Sequence, residues 1–151
     1  ALETTITREQ GATEIDMVAD LSAIAMHDYR RVTEDIHAVS ETLKGRATLK
    51  VIIEAGLLSL GQIALVTRCV SRIGCAFVKT STGVIAGGAQ VNHVALMSAL
   101  CVGTNTKVKA SGGIRDIDAA RQMLALGAAR IGTSSGISIV TGSDSRPSEN
   151  Y

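Results

Sequence analysis

Short β-rich apolar runs alternate with longer segments of helical periodicity along nearly the whole chain, and this alternation leaves few folds open. EIDMVA (14–19) reads as a strand. In the segment 28–45 that follows, Val32, Ile36, Val39 and Leu43 recur at intervals of 4, 3 and 4, the stripe of an amphipathic helix, and Gly45 is placed to end it. LKVII (49–53) is the next strand. Ser59 is placed to cap a helix that carries Ile63, Val66, Val70 and Ile73 on one face and stops at Gly74. CAFVK (75–79) reads as a third strand. A helix over 90–103 then presents Val91, Val94 and Leu100. KVKA (107–110) follows as a fourth strand, and Asp116 is placed to cap the helix that closes at Gly127. AARIG (128–132) is a fifth strand, and GISIV (136–140) reads as helical. The first 13 residues read as the end of a helix leading into the first strand.

Strands separated by single helices with short joins define βαβ units and a parallel sheet. Right-handed crossovers then bring every strand C-terminus to one edge, where such folds carry their chemistry. At 151 residues the chain has the length of one domain with a substantial core. The expected division is a barrel-type domain over 1–140 and a frayed polar tail over 141–151.

Composition removes several classes of function. The 15 basic and 14 acidic side chains leave a net charge of +1, so no general field for nucleic acid or anionic lipid is expected. Aromatic residues are limited to Tyr29, Phe77 and Tyr151, too few for a base-stacking platform. Charges interrupt every apolar run before it reaches the ~20 residues of a membrane span. ALETTITREQ has neither the basic start nor the apolar stretch of a signal peptide. A soluble, cytoplasmic protein is the expectation. Cys69, Cys75 and Cys101 form no CxxC and read as buried reduced thiols. His27, His37 and His93 are scattered and read as solvent-facing or helix-packing. No metal and no cofactor is expected.

Three charged residues interrupt or end apolar strands: Asp16, Lys79 and Lys109. A lone lysine is ordinarily a solvated surface residue. These two, however, end strands expected to be buried on both faces, and each opens a small-residue loop, KTSTG (79–83) and KASGG (109–113). TSSG (133–136) echoes TSTG (80–83). Such loops offer close backbone approach, hydroxyls and free amides, and GGIRD and GTSSG each open a helix, where an anion is well placed. Two lysines together in a water-poor site favour neutral amine. A neutral lysine can attack a carbonyl to form a Schiff base, whose iminium is an electron sink for breaking or making the adjacent C–C bond. A carboxylate such as Asp16 is suited to move the proton.

EIDMV, LKVIIE, FVKTSTG, VKASGGIRD and ARIGTSSG, in that order and spacing, resemble the deoxyribose-phosphate aldolases, class I aldolases built on a (β/α)₈ barrel. The likeness spans about residues 9–140. It implies reversible cleavage of 2-deoxy-D-ribose 5-phosphate to D-glyceraldehyde 3-phosphate and acetaldehyde. By motif, Lys79 would form the Schiff base, Lys109 would favour its neutral amine and help proton transfer, and Asp16 would join the proton relay. Gly83, Gly112, Gly113, Gly132, Ser134 and Ser135 would cradle the phosphate, with Thr82 beside the substrate. Lys50 would take a supporting role. Lys107 rivals Lys109 but lies deeper on the same strand face. Ala55, Ala76 and the loop VIAGG (84–88) depart from the usual family pattern.

A (β/α)₈ barrel typically takes about 250 residues, and five strands are legible here. The expected fold is therefore a partial barrel lacking the first three βα units, with two unpaired sheet edges. A second copy or a complementary fragment is expected to cover them. Two alternatives to the aldolase stand beside it. One is an inactive truncated barrel that binds sugar phosphate weakly or serves only in assembly. The other is a further lysine-based barrel enzyme of transaldolase type, which TSTG and GGIRD fit less well.

Overall fold

In the computed structural model, residues 1–43, 45–85 and 87–142 are described. Most of the tail expected to fray, 143–151, lies outside them. The elements run α1 (Leu2–Glu9), β1 (Glu14–Val18), α2 (Leu21–Ala25), α3 (Tyr29–Leu43), β2 (Thr48–Ile52), α4 (Leu60–Ile73), β3 (Phe77–Lys79), α5 (Val91–Cys101), β4 (Lys107–Ser111), α6 (Ile117–Ala125), β5 (Ala128–Gly132) and α7 (Gly136–Thr141), with a 3₁₀ turn at Ala55–Leu57. The five strands pair in parallel in chain order β1-β2-β3-β4-β5. The fold is thus the expected open arc of βα units. Among the described residues, no helix is long and apolar enough to cross a membrane.

Local chemistry sets the boundaries. Ser59 caps α4 with a full capping box: its hydroxyl accepts from the Gln62 amide while the Gln62 side chain accepts from the Ser59 amide. Gly74 ends the same helix in the left-handed conformation that a side chain disfavours. Asp116 caps α6 through the Ala119 amide. The short helix α2 and the 3₁₀ turn lie in stretches to which the sequence reading assigned no element. Asp20 caps α2 by accepting from the Ala23 amide. Five residues are too few to display a helical period.

One face of the sheet and one stripe of each helix from α2 to α6 make the core. Leu49, Val51, Val78, Val108 and Ala110 meet Val32, Ile36, Val39 and Leu43 of α3 and Ile63, Val66 and Val70 of α4 in one apolar cluster. Each such side chain contributes roughly 1.5–3 kcal/mol when fully buried. Helix α5 corrects the sequence reading. It buries His93, Val94, Met97 and Cys101, while Val91 is exposed and Leu100 only half-buried. Nearly every side of this helix is apolar, so periodicity alone could not choose the packed one. Cys75 and Cys101 are buried free thiols, as expected, whereas Cys69 is half-buried. Burial pushes the Cys75 thiol up to about 11, so it is inert at neutral pH.

The expectation that the strands are buried on both faces holds for β2, where Leu49, Lys50, Val51 and Ile52 are all buried, and fails for β1. Along β1 the side chains alternate between exposed and half-buried. The concave face carries charged side chains beside the buried apolar Ile52 and Phe77. The arc curls strongly enough for Arg130 of β5 to donate to Glu14 Oε1 of β1 at 2.7 Å, although these are the sheet's two outer strands. The Arg130 guanidinium also lies 4.5 Å from the centroid of the Phe77 ring.

Candidate active site

The strand registers bring the unusual residues together. Asp16 is level with Lys50, and Lys79 with Lys109 on the next strand. Because side chains alternate along a strand, all four point to the concave side. Asp16 is the hub. Its Oδ2 accepts from Lys79 Nζ at 2.7 Å and lies 3.8 Å from Lys109 Nζ, and its Oδ1 accepts from Lys50 Nζ at 2.8 Å. Lys50 Nζ also meets Glu14 Oε2 at 3.0 Å. Lys107 is exposed and takes no part in this cluster.

Burial alone would raise the Asp16 carboxyl. Hydrogen bonds from Lys50 and Lys79, with the charges of Lys79 and Lys109, outweigh that and hold it down, to about 2. Lys109 is pushed below the usual lysine range, first by burial, with the nearby charges of Lys79 and Lys50 acting in the same direction and Asp16 pulling back. The site is drier than a surface but not sealed. Side-chain exposure is 11% for Lys79, 18% for Lys109 and 31% for Asp16. The expected water-poor pair is therefore partly open on the concave side.

The loops above the lysines are laced to one another. The Thr80 hydroxyl donates to the Ser111 carbonyl at 2.8 Å and accepts from the Ser111 amide at 3.0 Å. The Ser111 hydroxyl donates to the Ser81 carbonyl at 2.6 Å, and Thr133 ties its loop to the Ile114 carbonyl at 2.6 Å. Gly83 and Gly112 approach so closely that a side-chain carbon on Gly112 would stand 3.5 Å from the Gly83 Cα and 3.0 Å from the Gly88 Cα. A carbon on Gly132 would stand 2.7 Å from the Ser111 Cβ and 3.3 Å from Lys109 Cε. The structure thus gathers Gly83, Gly112 and Gly132 over the lysines. Gly113, Ser134 and Ser135 lie on the flanking loops, and the Ser135 amide is already given to Thr133 Oγ1. Thr82 stands in the same loop, with its own amide taken by Glu54.

Three residues of this region had no site role, or only a minor one, in the sequence reading. Lys50 is 4% exposed and doubly ion-paired, more central than a supporting role suggests. Gly88 packs on Gly112: a side-chain carbon there would stand 2.5 Å from the Gly112 carbonyl oxygen. Only the GG dipeptide of VIAGG hinted at this. Glu54, the last residue of LKVIIE, is buried beneath the KTSTG loop.

A parallel βα arc with a lysine pair and a carboxylate on its concave face, beside glycine-rich loops, fits the βα-barrel aldolase class. No family model matches the chain. Curated relatives do. The deoxyribose-phosphate aldolase of Halalkalibacterium halodurans is 45% identical over 148 residues, covering 98% of this chain and 66% of that protein. That of Acholeplasma laidlawii is 43% identical over 151 residues, covering 100% of this chain and 67% of that protein. The chain belongs to the deoxyribose-phosphate aldolase family and spans about two thirds of the length of these relatives. Among solved structures, a tetrameric deoxyribose phosphate aldolase from Aeropyrum pernix superposes with a TM-score of 0.78 at 35% identity, covering 93% of this chain and 59% of that one.

Proposed function

We propose that the concave face carries out a Schiff-base aldol reaction on 2-deoxy-D-ribose 5-phosphate. The observation that carries this reading is the shared contact of Lys79 and Lys109 with Asp16 Oδ2, at 2.7 and 3.8 Å, with Lys79 at the C-terminal end of β3 and Lys109 level with it in the middle of β4, which runs on to Ser111 instead of ending at the lysine as the sequence suggested. The Lys79 amine adds to the sugar aldehyde and loses water to give an iminium. A base takes the proton from the hydroxyl on the third carbon. The bond between the second and third carbons then breaks, its electron pair passes into the iminium as an enamine, and the third carbon becomes the aldehyde of D-glyceraldehyde 3-phosphate, which leaves. Protonation of the enamine and hydrolysis release acetaldehyde and restore the amine. Asp16 is within reach to accept and return the Lys79 proton. Gly83, Gly112, Gly113, Gly132, Ser134, Ser135 and Thr82 would receive the phosphate end, which the surplus of cations on the concave face attracts.

Lys109 is the rival nucleophile on one ground: its ammonium is held below the usual range, so it gives up its proton more readily. We favour Lys79 because its amine is in hydrogen-bond contact with the proton acceptor. Incubation with acetaldehyde and borohydride, followed by peptide mapping, decides between them: the ethyl adduct is expected on Lys79, and an adduct confined to Lys109 reverses the roles. If Lys109 acts as the cationic neighbour, Lys109→Leu shifts the half-maximal pH of trapping upward by about one unit. A pH profile identical to wild type refutes that role.

We further propose that β1 and β5, each paired on one side only among the described residues, are covered by a second copy or a complementary fragment. Light scattering is expected to show association. A stable, non-aggregating monomer contradicts it.

A further inference from the structure

Glu54 combines three observations that the reaction above does not use. It is 2% exposed. Its φ of 48° lies in the left-handed region, where, among the described residues, only one other non-glycine, His27, is found. Its Oε1 accepts from the Thr82 amide at 2.8 Å, the one partner its carboxylate has among the described residues. A strained backbone and a buried carboxylate are both unfavourable, and glycine at this position would remove both. What glycine could not supply is the acceptor for Thr82.

The surrounding contacts show what that acceptor fixes. Below Glu54 the backbone ladder is continuous: the Ile53 amide donates to the Lys79 carbonyl at 3.0 Å, the Ala55 amide to the Thr80 carbonyl at 2.8 Å, and the Thr80 amide to the Lys109 carbonyl at 3.1 Å. The chain is thus pinned through Thr80 by main-chain bonds, to which the Thr80 hydroxyl adds its two bonds with Ser111. Beyond Thr80 it leaves the sheet, and at Thr82 the contact to β2's side of the loop comes from a side chain. We propose that Glu54 is a positioning residue: its carboxylate clamps the Thr82 amide and thereby aims Thr82 and Gly83 at the phosphorylated end of the substrate. The clamp acts on substrate binding and leaves the amine chemistry of Lys79 largely untouched. This inference rests on the aldolase reading for the identity of the substrate, but not for the clamp itself.

The test compares Glu54→Ala, which removes the acceptor, with Glu54→Gln, which keeps an oxygen in place. For Glu54→Ala, exchange of the Thr82 amide measured by NMR is expected to speed up at least about tenfold, and the half-saturating concentration of 2-deoxy-D-ribose 5-phosphate to rise about tenfold. Acetaldehyde trapping on Lys79, which involves no phosphate, should stay within about twofold of wild type, and Glu54→Gln should stay near wild type on all three readouts. Unchanged Thr82 exchange, unchanged sugar-phosphate saturation, or an equal loss in Glu54→Gln overturns the proposal. If Glu54→Ala does not fold, Glu54→Asp, which withdraws the carboxylate by one methylene, is read by the same criteria. If wild type itself traps no acetaldehyde, the aldolase reading falls, while Thr82 exchange still decides the clamp.

Discussion

Lys79→Ala is expected to reduce turnover of 2-deoxy-D-ribose 5-phosphate to background and to leave no borohydride-trapped adduct. The size of the effect follows from the mechanism. An amine that forms the covalent intermediate cannot be replaced by solvent, so the loss is of the whole pathway and not of one contribution to it. The neighbouring amines are poor substitutes. Lys50 is buried between Asp16 and Glu14, with both its contacts ionic. Lys109 stands farther from the proton acceptor than Lys79 does. Retention of the phosphate-bearing substrate is expected, because the glycine loops that gather above the lysines do not depend on the Lys79 side chain. The variant should therefore still bind and fail to convert. Turnover by Lys79→Ala within about tenfold of wild type would sink the assignment.

Asp16→Asn is expected to produce the largest loss of stability of any single change at the site, together with a fall in turnover of about 10²-fold or more. Asp16 is the counter-ion shared by Lys50, Lys79 and Lys109. Neutralising it leaves three cations in one partly buried cluster, with Glu14 in contact with Lys50 alone among them. Removing one partner of a fully buried pair costs about 3–5 kcal/mol. About a third of the Asp16 side chain is open to solvent, which screens the cluster, so a loss of about 1–3 kcal/mol is expected here. For a domain of this size that corresponds to a fall in Tm of roughly 3–10 °C. The effect has a defined pH window. A carboxylate held below its unfolded value contributes stability that is fully present above that value and is lost as pH falls through the folded one. With the Asp16 carboxyl lowered from 3.8 to about 2, the gap between wild type and variant should persist at neutral pH and close between pH 3.8 and about 2. Equal melting temperatures at pH 7 would show that Asp16 is not the hub.

The reach of the sequence differs from element to element, for physical reasons. Helix α3 could be read residue by residue, because its four apolar positions form a single stripe and all four are buried. The ends of α4 and α6 were legible because a capping side chain acts on amides three residues away and needs no tertiary context. Lys79, Lys109 and Asp16 stood out because charge in an apolar strand is costly unless it has partners. Glu54 did not stand out: a glutamate after an apolar run has the look of a loop residue, and its partner is 28 positions away. The packed side of α5 was illegible for the opposite reason, since an apolar surface on nearly every side carries no directional signal.

The sequence by itself determined the order of βα units, the small-residue loops that follow the lysine-bearing strands and the chemistry those residues suit, because each depends on local periodicity, caps and residue type. Only the tertiary structure decided how they meet. The parallel register set Asp16 against both lysines and against Lys50. The curl of the sheet brought Arg130 to Glu14. The close approach of the loops gave Gly88 and Glu54 their places. Each of these is a contact between segments far apart in the chain, whose distances follow from strand pairing and packing and leave no mark on the local pattern of residues.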